Sequence, residues 1–208
     1  MTKMTALLAG ALAMVVSAWA APDAIADEEA ANYTHVVASP WGRCYVRSVP
    51  ASGYGSEGTT EVFVVGDMDQ PDRKVATYDF FSLSFYLSCN VMGDDGVPDV
   101  AMVGLGPWAR GHAPNDETVA LALFYGGKEV ARYSTLDIAG DNPDAVDCSV
   151  SHYQVLGPIY GYVRDGDERT VFQLTTLDGR TLSFDAVTGE LVDSQEGNPP
   201  GFGYGACP

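Results

Sequence analysis

The sequence predicts an all-β fold, either an antiparallel β-sandwich or an open barrel built from hairpins, with a small propeller-like arrangement as the alternative. Three observations carry this. From Tyr33 onward, short β-branched and aromatic runs are separated by Gly, Asp and Pro, the pattern of strands joined by turns. Beyond the first twenty residues, no window keeps a 3.6-residue apolar period over ten residues. Finally, two kinds of strand are present. Residues 119–125 are apolar on both faces, whereas 181–187 alternates Leu182, Phe184 and Ala186 with Thr181, Ser183 and Asp185. A strand apolar on both sides belongs in a layer covered twice, and an alternating strand in a sheet with one wet face.

In chain order the candidate strands are 35–38, 43–49, 61–65, 75–80, 84–91, 100–105, 118–125, 128–134, 153–156, 160–164, 170–176, 181–187 and 190–193. A short turn of helix fits between Leu136 and Val146. Gly126-Gly127 is the permissive pair that a two-residue primed turn needs, so it should join 118–125 to 128–134. At Asp178-Gly179 a two-residue loop would set Leu174 against Ser183 and mix the faces. A three-residue loop, Leu177-Asp178-Gly179, pairs Leu174 with Leu182 and Phe172 with Phe184. The second register is expected, because a one-residue slip turns every side chain over. Thr188-Gly189 makes the next turn.

Asp72-Arg73-Lys74-Val75-Ala76-Thr77-Tyr78 is echoed by Gly127-Lys128-Glu129-Val130-Ala131-Arg132-Tyr133. The stretch Phe184-Asp185-Ala186-Val187-Thr188-Gly189-Glu190 resembles the outer strands of propeller blades, which commonly end in an aromatic-Asp-x-x-Thr-Gly turn. That resemblance implies the propeller-like alternative.

Residues 1–20 read as a signal peptide: Lys3, an uncharged run from Ala6 to Val16, then Ser17-Ala18-Trp19-Ala20 as the small-x-small cleavage site. The run is shorter than the ~20 residues that span a bilayer. Residues 21–32 read as a flexible leader and 33–208 as a single all-β domain. Eleven Lys+Arg against 28 Asp+Glu give a net charge of −17. Such a balance lacks the clustered cations on which phosphate binding runs, which excludes sequence-independent nucleic-acid binding. It also argues against a polybasic membrane patch. The expected protein is a secreted or periplasmic monomer without a membrane anchor, its partner an unidentified extracellular ligand or protein.

All four cysteines, Cys44, Cys89, Cys148 and Cys207, follow the signal. An even count in an exported chain reads as two disulfides, with three pairings available. Cys44–Cys89 with Cys148–Cys207 is favoured, since each bond then closes a loop within one half of the chain.

No H-E-x-x-H, G-x-S-x-G or Walker loop is present, so no reaction can be read from a motif. Loop aromatics on a β scaffold are a recurring contact device for sugars and peptides. Trp41 (in Ser39-Pro40-Trp41-Gly42) and Trp108 are therefore candidate ligand-binding residues, with Arg110 and His112 in the Trp108 loop. That loop combines an aromatic, a cation and an imidazole, and is the first place to look. The segment from Asn90 to Ala101 resembles the calcium loop of integrin-type FG-GAP repeats, which implies Asp94, Asp95 and Asp99 as calcium ligands. The spacing is one residue out, and Met92 stands where an oxygen is expected. Three functions follow as expectations. The first is a non-catalytic binding or structural module, with no cofactor. The second is a secreted hydrolase of polysaccharide or peptide using acidic residues, and the third a calcium-dependent adhesion module.

Overall fold

The computed structural model describes residues 30–93, 95–166, 169–199 and 207. The expected signal peptide and most of the expected leader lie outside the described residues. Asn32, the last residue of that leader, is tied down: its N–H donates to the Gly53 carbonyl at 2.7 Å and its side-chain amide to that of Gly55 at 2.9 Å.

Strands β1 (His35–Ala38), β2 (Cys44–Pro50), β3 (Gly58–Val64) and β4 (Arg73–Tyr78) form a first antiparallel meander. A second sheet contains β5 (Phe85–Met92), β6 (Pro98–Leu105), β8 (Val119–Tyr125) and β9 (Lys128–Ser134), in that spatial order. A third contains β12 (Leu156–Arg164), β13 (Thr170–Thr176), β14 (Thr181–Asp185) and β15 (Leu191–Gln195). Two-residue strands β7 (Ala109–Arg110) and β10 (Asp147–Cys148) flank β11 (His152–Gln154) in a small fourth sheet. Among the described residues, helical structure is confined to α1 (Thr135–Ala139) and a 3-10 turn at Pro143–Ala145. No sheet among the described residues closes into a barrel; the sheets pack as layers. Four strands taken in chain order is also the strand order of a propeller blade.

Hydrophobic patterning explains the layering. Ala122 and Phe124 of β8 face a core shared with Val46, Val62 and Tyr78 of the first sheet. Leu121 and Leu123, on the opposite face, meet Phe172, Leu174, Leu182 and Phe184 of the third. The strand apolar on both sides is thus the one covered twice. Both argued registers hold. Gly126 and Gly127 adopt φ of 56° and 80°, and Tyr125 faces Lys128 across the turn. Phe172 pairs with Phe184 and Leu174 with Leu182, with Gly179 at φ 91°.

Two expectations change in detail. Ser183, assigned to a wet face, is buried, because the Gln173 side chain crosses from β13 and donates to its hydroxyl at 3.0 Å. The strands expected at 153–156 and 160–164 instead give a short β11 and a long β12. In β12 the register shifts twice, and Gly161 takes φ 81°, the bulge geometry that glycine permits.

The sequence echo occupies equivalent places. Tyr78 ends β4, the fourth strand of the first sheet, and Tyr133 lies near the end of β9, the fourth of the second. Each reaches into the next sheet. The Tyr78 ring lies 4.5 Å from that of Phe124 on β8, and the Tyr133 ring 4.8 Å from that of Phe184 on β14. Burial pushes the Tyr78 phenol up to about 12, and the neighbouring Gly127 backbone opposes that rise. Tyr133 Oη donates to the Gly189 carbonyl at 2.9 Å. In the third sheet β15 reads Leu-Val-Asp-Ser-Gln and is mostly exposed; it has no tyrosine, and the repeat ends there.

The expected disulfides are the ones formed. Cys44–Cys89 joins β2 of the first sheet to β5 of the second, and Cys148–Cys207 ties the C-terminal end of the chain to the small sheet. Such a pair fits an oxidising compartment. Among the described residues, no helix is long and apolar enough to cross a membrane.

Candidate functional site: an aromatic groove along β5

A groove of about 780 Å³ follows the outer edge of β5, within the ~300–1,000 Å³ typical of ligand sites. Three separate stretches build it. The β1–β2 turn supplies Ala38 to Trp41 and Arg43, β5 supplies Phe85 to Asn90, and β12 supplies Tyr160, Gly161 and Tyr162.

The turn is rigid for local reasons. Buried Ser39 accepts from the backbone N–H of Arg43 at 3.1 Å and of Cys44 at 3.3 Å. Its carbonyl takes the N–H of Gly42, whose φ is 64°. Pro40 and Trp41 therefore sit at the apex of a closed loop, and Trp41 is 89% exposed. The next structured residue is Cys44, locked to Cys89 in the groove floor. Across the groove, the bulge in β12 turns Tyr160 outward, leaving it 61% exposed. Below it Tyr86 and Tyr162 both meet the ring of Phe172, at 5.5 and 5.4 Å. Burial first, and the neighbouring Tyr78 second, push the Tyr162 phenol well above its ordinary value.

Among the described residues, Arg43 is the only charged side chain lining the groove. With the Asn90 amide turned to satisfy both neighbours, its oxygen accepts from Arg43 Nη1 at 2.8 Å and its nitrogen donates to the Cys89 carbonyl at 2.8 Å. A neutral amide orients the guanidinium here without cancelling its charge.

The Trp108 loop is arranged differently. Trp108 stacks on His152, with centroids 5.0 Å apart and planes 29° apart, and is 44% exposed. It lines two smaller clefts, of about 350 and 310 Å³, beside Ser84 where β5 begins. Arg110 lies over the Tyr54 ring at 5.6 Å. His112 Nε2 is hydrogen-bonded to the Val150 carbonyl at 2.9 Å. Neither lines the clefts with Trp108, so the candidates gathered in one sequence loop do not converge on one site. Proximity in sequence missed Tyr160, which was read only as part of a strand.

Among the described residues, no Asp or Glu lines any of these three clefts. The carboxyls with a resolved displacement are lowered. Lys74 and then Arg47 hold Glu61 down against its own burial, in an exposed ladder across β2, β3 and β4. Burial alone would raise Asp178, but hydrogen bonds from Thr176, Arg180 and Asn142 outweigh it. A general acid needs the opposite displacement. In the calcium-like segment, Asp94 lies outside the described residues. Asp95 accepts from the Val97 N–H at 2.9 Å, as a turn residue does, and Asp99, within β6, accepts from the adjacent Val100 N–H at 2.7 Å. No group of three or more His, Cys, Asp or Glu gathers at metal-binding distance among the described residues.

Comparison with protein-family models, with curated proteins and with solved structures found no match to this chain.

Proposed function

We propose that this protein is an exported binding module that works outside the reducing cytosol and takes its ligand in the groove along β5. The observation that carries this is Trp41. A large aromatic is held almost fully in solvent at the apex of a turn closed by Ser39 and anchored by a disulfide. Exposing an indole while fixing its backbone contributes nothing to the core, but it pre-organises a contact surface. Tyr160 stands across from it on β12, and among the described residues no acid lines the groove between them, in a strongly acidic chain. Binding without catalysis fits a site whose polar groups are one guanidinium, amides and neutral hydroxyls.

The test compares the disulfide-bonded chain with Trp41→Ala and Trp108→Ala on arrays of oligosaccharides and short peptides, followed by fluorescence titration of each hit. Buried aromatic anchors commonly contribute about 2 kcal/mol or more to binding, close to 30-fold. Trp41→Ala should therefore remove the signal with an unchanged melting temperature, while Trp108→Ala should keep it. Hits of equal strength with Trp41→Ala would remove the groove from the account.

A further inference from the structure

The floor of the groove is itself a hydrogen-bonding surface. In the second sheet β5 is an edge strand, paired on one side only, to β6. The Leu105 N–H donates to the Ser84 carbonyl at 3.0 Å, and the register sets Phe85 against Gly104, Tyr86 against Val103 and Leu87 against Met102. Antiparallel ladders alternate bonded and non-bonded pairs. Tyr86 and Ser88 therefore turn their N–H and C=O toward β6, and Phe85 and Leu87 turn theirs into the groove. No other backbone or side chain among the described residues bonds those outward groups. The Phe85 and Leu87 side chains are buried in the core shared with the first sheet, which fixes this orientation.

Natural edge strands are usually blunted with charges, with proline or by being very short. Here Phe85-Tyr86-Leu87-Ser88 pairs with β6 in unbroken register and carries no charge or proline, about 13 Å at ~3.3 Å per residue, before the register slips at a bulge between Ser88 and Val91. It is recessed between two aromatic walls, which keeps a flat edge of a second copy away and admits a single narrow chain. A strand added there would send alternate side chains toward the Trp41 turn and toward Tyr160 and Tyr162. At the Asn90 end stands Arg43, whose charge no carboxylate among the described residues neutralises.

Resting on the groove reading above, we infer that the ligand is an extended peptide segment that adds as a strand to the β5 edge and carries a carboxylate, from Asp, Glu or a chain terminus, opposite Arg43. Main-chain bonds to Phe85 and Leu87 would supply affinity that tolerates sequence, and the aromatic walls and Arg43 would supply selectivity. The guanidinium can hold a carboxylate through two parallel N–H bonds.

The probes are synthetic hexapeptides of alternating Val and Thr ending in Asp, the same peptides ending in an uncharged amide, and versions with alternate amides N-methylated. Cello- and chito-oligosaccharides serve as comparators. Affinity is read by calorimetry, and the site by amide hydrogen exchange. The Asp-ended peptides should bind and slow exchange at Phe85 and Leu87, leaving Tyr86 and Ser88 as they were. N-methylation in one of the two alternate sets should weaken binding at least tenfold, and the other set should have little effect. Arg43→Gln should cost the Asp-ended peptides about tenfold and the amide-ended ones almost nothing. Trp41-dependent binding of the oligosaccharides alone would overturn the peptide assignment while leaving the groove as the site. Peptide binding that ignores N-methylation or leaves the Phe85 and Leu87 amides unprotected would overturn strand addition. Absence of Trp41-dependent binding by any probe would overturn both.

Discussion

The joint between the first and second sheets and the joint between the second and third use the same contacts but different locks. In each, a tyrosine near the end of a fourth strand reaches the glycine turn of the next sheet and lays its ring against a phenylalanine there: Tyr78 with Gly127 and Phe124, Tyr133 with Gly189 and Phe184. The first joint is then crosslinked by Cys44–Cys89. The second is closed instead by hydrogen bonds from Arg180, which an ion pair within its own hairpin holds in place, and from Asn142 to Asp178. Arg180, just after the β13–β14 loop, holds Asp178 through Nε at 2.8 Å. Its Nη2 donates to the carbonyls of Ile138 and Ala139 at the end of α1, at 2.9 and 3.3 Å. A repeated contact sets how the layers meet, and a local lock sets what can separate them. The first joint should therefore answer to reductant and the second to acid.

Removing the covalent lock should have the largest effect. Cys44→Ala with Cys89→Ala opens a loop of 45 residues, for which chain entropy alone gives about 4 kcal/mol. Urea unfolding should show that loss together with weakened groove binding. Cys148→Ala with Cys207→Ala opens a loop of 59 residues, and should cost a similar amount of stability without touching the groove. Equal loss of binding in both pairs would break the assignment of the groove to the first joint.

Next comes the glycine at the second joint. A Cβ on Gly189 would stand 2.5 Å from that of Ala131, whereas one on Gly127 would stand 4.0 Å from that of Ala76. Both have positive φ, 75° and 80°, and share a backbone strain of about 1–2 kcal/mol. Gly189→Ala adds overpacking of about 1–3 kcal/mol, so it should lower the urea midpoint more than Gly127→Ala. The reverse order would show that the second joint has room to shift.

The smallest effect should come from Asp178→Asn, about 1 kcal/mol for weakened charge-assisted bonds to a side chain that is 7% exposed. Its sign with pH is fixed. Asp178 is depressed in the folded protein, so its contribution is complete above the unfolded carboxylate value near ~4 and lost as pH falls through the lower folded value. Acid titration of stability should therefore be shallower in Asp178→Asn than in the parent chain. An unchanged profile would move the acid-sensitive lock elsewhere.

Much of this fold was legible because its signals are local or periodic. Gly126-Gly127 fixed one register through backbone permissiveness, and the paired Phe172/Phe184 and Leu174/Leu182 fixed another through burial. The double apolar face of β8 announced its central layer. The echo of 72–78 in 127–133 marked strands in equivalent places, because Val-Ala-x-Tyr is what the contact to the next sheet requires. Two-residue strands such as β7 and β10 leave no period to read, and β12 was divided because its bulges interrupt alternation around Gly157-Pro158 and Gly161. The groove was the least legible. Trp41 stood out in its turn, but Tyr160 and the free edge of β5 acquire meaning only when residues 38–43, 85–90 and 160–162 come together. The Trp108 loop, richer in suggestive residue types, sends its side chains to Tyr54, His152 and the Val150 carbonyl.

The position of Cys89 in the β5 floor has a consequence for timing. During synthesis, while its thiol is still reduced, the Trp41 turn would be held against that strand by packing alone. A site that takes unpaired strands would be hazardous among nascent chains, which are full of them. On the strand-addition proposal, a cystine in the floor would couple completion of the groove to oxidative maturation, so the bond that closes the first joint would also finish the proposed site.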